Sequence, residues 1–207
     1  MPKGLFVTFE GIDGSGKSTQ SRRLAAHLTA LGRDPVLTRE PGGSDGAEEI
    51  RRLLVEGDPD RWSPETEILL FTAARRDHLE KKIAPALKAG QVVICDRFAD
   101  STRVYQGVTR GDLRGVVDDL HRLMIAREPD LTFLIDMDPA QALARGLARR
   151  SGEDRFEDFG AGFQMRLRDG FLTLARDNPQ RFRIIDGMRD EDTIATEVAA
   201  IAEAALG

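Results

Sequence analysis

Between an apolar run ending at Phe9 and a helical pattern opening at Lys17 lies Gly11-Ile12-Asp13-Gly14-Ser15-Gly16-Lys17-Ser18-Thr19. A glycine, four residues, a second glycine, then lysine and serine is the spacing of a phosphate cradle. Glycines let backbone N–H groups turn inward around phosphate oxygens. Lys17 is spaced to reach the β- and γ-phosphates, and the Ser18 hydroxyl to ligate Mg²⁺. The helix that follows aims its positive end at the anion. The stretch from Gly11 to Thr19 is therefore the expected ATP-binding loop, although a cradle alone does not name an enzyme, because ATPases, switches and kinases share it.

Two further segments carry chemistry. Val92-Val-Ile-Cys95-Asp96-Arg97-Phe98 leaves an apolar run with an acid and then an arginine. A carboxylate there can hold Mg²⁺ directly or through water, and Arg97 can grip a phosphate with two parallel bonds. Thr38-Arg39-Glu40-Pro41-Gly42-Gly43 puts another arginine after another apolar run. Alone it reads as an ordinary turn; beside the cradle it suggests a second anion site facing the first. The chain has 25 arginines against 5 lysines, so an arginine is informative only inside a pattern.

The elements that must position these residues alternate along the whole chain. Strand candidates are Leu5–Phe9, Pro35–Thr38, Val92–Cys95, Leu131–Ile135 and Phe182–Ile185, each short and apolar as a strand buried on both faces of a parallel sheet would be. Helical patterns separate them, at Lys17–Leu31, Glu48–Glu56, Pro64–Lys88, Leu113–Ala126, Pro139–Arg149, Gly162–Arg176 and Asp192–Leu206. The expectation is one α/β domain over residues 1–207, a five-stranded parallel sheet between layers of helices. Its ligands should lie beyond the carboxyl ends of the strands, where all three motifs fall.

Bulk properties narrow the function classes. A net charge of -5 argues against a broad nucleic-acid surface. No apolar run is long enough to span a membrane, and the segment before the first strand is too short for a signal peptide, so a cytoplasmic enzyme is expected. The single cysteine, Cys95, sits in an apolar run and reads as a small buried residue. His27, His78 and His121 lie in helical patterns away from the motifs and read as structural.

Five stretches, in order and spacing, resemble the bacterial thymidylate kinases: Phe9 to Gln20, Thr38 to Gly43, Phe71-Thr-Ala-Ala-Arg75, Asp96 to Gly107, and Asp154-Arg155-Phe156-Glu157. The resemblance implies a P-loop kinase fold with a short mobile lid over residues 149–158, transfer of the γ-phosphoryl group of ATP to thymidine monophosphate, a Mg²⁺ cofactor and a homodimer. It further implies roles by position. Arg39 and Arg97 would clamp the monophosphate, Phe71 would stack on thymine, and Arg75 would donate to its O4. Ser101, Thr102 and Gln106 would line the base, and Tyr105 would fill the space of a 2′-hydroxyl. Asp13 and Glu157 would sit near the sugar and the metal, with Ser18 and Asp96 as the other metal-side groups.

Without that register Phe71, beside Ile68, Leu69 and Leu70, reads as core, Tyr105 as packing, and Arg75 as a solvated charge like Arg76. The sequence departs from the family pattern at Arg103 and Val104, where small or neutral residues are expected on the pocket wall, and by one extra residue in the lid. Adenine recognition is weakly marked, near Asp186–Arg189. Because Asp13 stands where some members carry a cradle arginine, the lid would supply the extra cation. Counting forward from Asp136 points to Arg149, and counting back from Glu157 points to Arg150. Two rivals remain on these residues: a kinase for another nucleotide, and a nucleotide switch with no phosphoryl acceptor.

Overall fold

The computed structural model describes residues 4–58, 61–107, 111–149 and 160–207, without the side chains of 146–149, 160 and 161. Five strands, β1 (Leu5–Glu10), β2 (Val36–Arg39), β3 (Val92–Asp96), β4 (Leu131–Asp136) and β5 (Phe182–Asp186), form one sheet in the order β2-β3-β1-β4-β5. Every pairing is parallel. The register sets Phe9 beside Asp96 and Arg39 beside Asp96, so the three expected motifs leave neighbouring strands at the same sheet edge.

The inner strands are buried almost throughout, as their apolar runs require. The outer two differ from the expectation: β2 and β5 each expose alternate or paired positions, Ile184 being 50% exposed. They are the sheet's edges, with one long side unpaired.

Helix α1 (Lys17–Ala30) follows the cradle, and α2 (Asp45–Val55) follows β2. The pattern at Pro64–Lys88 is three pieces: α3 (Pro64–His78), a π turn over Leu79–Ile83, and α4 (Ala84–Lys88). Ser63 caps α3 by accepting from the Thr66 amide, with Pro64 at the first turn, where its missing N–H costs nothing. A short helix not read from the sequence, α5 (Ala99–Tyr105), follows β3. Next come α6 (Arg114–Leu120) with a π turn over His121–Ile125, α7 (Pro139–Arg149), α8 (Gly160–Asp177) and α9 (Glu191–Leu206).

Two core clusters hold these layers. Val7, Phe9, Ile94, Phe133 and Ile185 pack on Leu24, Leu28 and Val198 of α1 and α9. On the other face Phe6, Val93, Cys95 and Phe98 pack on Leu79 and Ile83. A third cluster joins Tyr105 and Val104 of α5 to Phe163, Leu167 and Phe171 of α8.

Candidate active site

The cradle needs its glycines. Gly11, Gly14 and Gly16 have φ of 137°, 80° and 100°, the left-handed side that side chains avoid. A Cβ on Gly14 would lie 2.0 Å from the Ala142 carbonyl oxygen, so the loop also packs too tightly on α7 for any other residue. Helix α1 starts from Gly16 with no capping side chain. Lys17 is 5% exposed and donates to the Ile12 carbonyl at 2.7 Å. Burial, then the neighbouring Arg97 charge, brings its ammonium down to about 8.

Next to the cradle, Arg97 occupies a left-handed backbone position with φ 69°, rare for a residue with a side chain. Its amide is tied to the Phe9 carbonyl at 2.9 Å. Its guanidinium donates to Ser101 Oγ at 2.9 Å, to the Gly11 carbonyl at 3.4 Å, and to Asp13. The Tyr105 hydroxyl donates to the other Asp13 oxygen at 2.9 Å. Beneath this turn Glu10, fully buried, accepts from the Phe98 amide at 2.8 Å and from the Ser101 hydroxyl at 2.6 Å. Burial, reinforced by the Asp100 charge, raises its carboxyl to about 7.

A cleft opens from Arg97 along α3 and α5. It is lined by Asp13, Phe71, Arg75, Arg97, Ser101, Thr102, Tyr105 and Gln106, all expected from the sequence, and by Glu40, Pro41, Arg51, Leu54, Val55 and Phe98, which were not. Phe71 is half-buried on its wall and stands outside the core clusters. Gln106 donates to Glu67 at 3.2 Å. Arg75 is no solvated charge: it donates to Glu40 at 2.7 Å, to Thr102 Oγ1 at 2.9 Å and to the Phe98 carbonyl at 3.3 Å. Its neighbour Arg76 is the solvated one, half-exposed and paired with Glu80.

Four differences from the expectations stand out. First, His78 is not remote from the motifs: fully buried, it touches Glu40 at 3.1 Å and Thr38 at 2.8 Å, behind the acid that holds Arg75. Second, Arg103 and Val104 do not form the pocket wall. Val104 is core against Gly170, and Arg103 turns to the back of α5, onto Asp100, Asp118 and Glu128. Third, Arg39 and Arg97, expected as one clamp, line different cavities. Arg39 faces a separate cavity with Ser18 and Asp96, on the cradle side, where it pairs with Glu48 at 3.2 Å. Fourth, the arginine that shares the cleft with Arg97 and Arg75 is Arg51, 9% exposed and donating to the Pro41 carbonyl at 2.6 Å. The missed signal is its place on the buried face of α2 with Ala47 and Leu54, an arginine where the spacing calls for an apolar residue.

Asp96 lines the cradle-side cavity with Ser18, and its buried Oδ1 has no hydrogen-bond partner among the described residues. An orphaned carboxylate oxygen beside a hydroxyl suits a hard cation such as Mg²⁺, which is held by few protein oxygens and completed by water and phosphate. No group of three or more His, Cys, Asp or Glu side chains that could hold a metal ion occurs among the described residues. Arg150, Glu157 and the segment 150–158 lie outside the described residues, as does the side chain of Arg149 at the end of α7. Further back on α7, Arg145 donates to the Gly187 carbonyl at 3.3 Å, beside the loop expected to receive adenine.

Comparison with known proteins agrees along the chain. A family model for thymidylate kinase matches residues 9–198. The thymidylate kinase of Dinoroseobacter shibae is 73% identical over 197 residues, covering 95% of each chain. That of Caulobacter vibrioides is 48% identical over 208 residues and covers all of both. Among solved structures, the thymidylate kinase from Ehrlichia chaffeensis superposes with a TM-score of 0.78 at 38% identity, over 97% of this chain and 99% of that one.

Proposed function

The chain belongs to the thymidylate kinase family and carries out ATP-dependent phosphorylation of thymidine monophosphate to thymidine diphosphate, and from that premise we propose how its groups divide the work. The acceptor enters the cleft. Phe71 stacks on the base, Arg75 donates to it, and Thr102, Ser101 and Gln106 complete the wall. Tyr105, held by Asp13, occupies the space of a 2′-hydroxyl. Arg97 and Arg51 receive the monophosphate. The single observation behind this reading is the bond from Arg97 to the Gly11 carbonyl, which sets the acceptor's phosphate-binding arginine against the donor's cradle.

The attacking group is a phosphate oxygen, already anionic at neutral pH, so no general base is needed. The difficulty is bringing two anions together and balancing the charge that develops between them. Lys17 and the amides of residues 11–19 hold the ATP phosphates, and Arg97 draws the acceptor into line. Asp13 fixes the Arg97 fork and the Tyr105 hydroxyl together. Ser18 and Asp96 are the groups that would hold Mg²⁺, which neutralises phosphate charge when bound. Arg149 or Arg150 remains our choice for a cation supplied by the lid, with Glu157 near the metal and sugar, within one kinase domain of residues 1–207.

We also assign a homodimer and a cytoplasmic setting, where both nucleotides are available. The dimer is supported by Leu69 on α3 and by Val116, Leu123 and Met124 on α6 and its π turn, between 45% and 62% exposed. The two elements meet where Arg76 donates to the Met124 carbonyl at 2.8 Å, so these side chains share one face.

The test is ADP release from Mg-ATP in the presence of each nucleoside monophosphate in turn. Thymidine monophosphate should give the highest kcat/KM. Equal turnover of AMP, GMP or CMP would refute the assignment of the cleft, and ADP release independent of any monophosphate would favour a nucleotide switch.

A further inference from the structure

Helix α5 is seven residues long, too short to hold its own shape, yet it carries Ser101, Thr102 and Tyr105 into the cleft. Something must fix it from behind. Its opposite side presents Asp100, fully buried, and Arg103, 6% exposed. Arg181, just before β5, donates twice to Asp100, at 2.6 and 2.9 Å, and once to Thr132 Oγ1 at 3.0 Å. Thr132 in turn meets Thr8 Oγ1 at 2.9 Å, inside the sheet. Arg103 donates to Asp100 at 2.8 Å, to Asp118 on α6 at 2.8 Å, and to both oxygens of Glu128 at 2.5 and 3.1 Å.

These bonds run from one short helix to β4, to the start of β5, to α6 and to the loop before β4. Burial opposes the charge on Asp100, and the bonds and charge of Arg181 more than offset it, holding the carboxyl below its usual range. A buried ion cluster contributes little net stability compared with apolar packing of the same volume, because desolvation cancels much of the attraction. Its distinct contribution is direction: each fork admits one geometry.

We propose that Asp100 and Arg103 are positioning residues for the acceptor nucleotide, acting through α5 to fix Ser101, Thr102 and Tyr105. Neither touches the cleft. The proposal rests on the assignment of that cleft to thymidine monophosphate.

The experiment is steady-state kinetics on Arg103→Gln, with melting curves. The KM for thymidine monophosphate should rise about tenfold, and discrimination against the ribose counterpart should fall, as follows from a small displacement of lining groups. The KM for ATP should stay within about twofold, because Arg103 itself bonds to Asp100, α6 and the loop before β4, not to β1 or α1, which carry the cradle. Arg103→Lys should recover only part, since a point charge cannot replace a fork shared among three carboxylates. A folded Arg103→Gln with unchanged acceptor KM and unchanged ribose discrimination would overturn the proposal. So would equal rises in both KM values alongside a lowered melting temperature, the pattern of a purely structural role. Should Arg103→Gln not fold, Asp118→Asn and Glu128→Gln, at the exposed rim, decide: each should raise the acceptor KM about two- to threefold, and no change in either overturns it. Phe71→Ala is run alongside. If it too leaves the acceptor KM unmoved, the assignment of the cleft has failed, not the role of the ion cluster.

Discussion

The two cavities at the carboxyl end of the sheet hold their charges differently. In the acceptor cleft every expected cation already has a carboxylate: Arg75 has Glu40, and Arg97 has Asp13. In the cradle-side cavity the groups have capacity to spare. Among the described residues Asp96 Oδ1 lacks a hydrogen-bond partner, and Arg39, its side chain 52% exposed, pairs with a Glu48 that also faces solvent. We propose that acceptor recognition in the first region depends on shape and on donors that these ion pairs hold in place. We propose that the second is completed by phosphate oxygens and a cation.

That difference is open to breakage at either end. The largest effect should come from Arg75→Leu, which leaves Glu40, its side chain 4% exposed, without its cation. Removing one partner of a buried pair typically costs about 3–5 kcal/mol, so the urea midpoint should fall sharply. A variant as stable as its parent would mean that the cleft is not prebuilt. Arg97→Ala and Lys17→Ala should unfold less readily. The partner of Arg97, Asp13, has a side chain 34% exposed and can turn to water. Each should instead lose turnover by about 10²–10³, or about 2.7–4 kcal/mol in the transition state, and near-normal turnover at saturating Mg-ATP would remove the residue from its role.

A pH test reads Glu10. Its folded carboxyl titrates near 7 against an ordinary 4.5, so the protonated form is favoured by folding. Its contribution to stability is complete below 4.5 and is lost as pH rises through about 7. Glu10→Gln cannot titrate. Whatever its constant offset, the melting temperature of the parent relative to the variant should drop across that window, and parallel curves would show that Glu10 stays ionised. The smallest effect belongs to Arg39→Ala, a change of about 1 kcal/mol or less, seen in the apparent affinity for Mg-ATP. If the KM for thymidine monophosphate rises instead, Arg39 belongs with the acceptor clamp after all.

What the sequence reveals follows from where information is local. The cradle is nine consecutive residues, Gly11 to Thr19, each constrained by backbone geometry or phosphate contact, and it is legible without help. The five strands are legible because buried parallel strands are apolar runs, although edge exposure at β2 and β5 is a property of sheet order, which no single segment encodes. Arg75 and Arg76 are indistinguishable by composition. One is buried on Glu40 and the other meets water because α3 turns about 100° between them, which becomes decisive only once the packing face is known. Helix α5 is not legible because its seven mostly polar residues carry no apolar periodicity, while its ion pairs reach distant segments. The places of His78 and Arg103 are illegible for the same reason: their partners are long-range, at Glu40, Asp118 and Glu128.

The most direct test of a prebuilt acceptor cleft is a calorimetric titration of thymidine monophosphate into the protein with neither ATP nor Mg²⁺ present. A cleft whose cations are already aimed should bind the monophosphate saturably and with one-to-one stoichiometry, and Phe71→Ala should abolish most of the heat. Binding that appears only after a non-hydrolysable ATP analogue and Mg²⁺ are added would contradict the account, because the acceptor site would then be assembled by the donor.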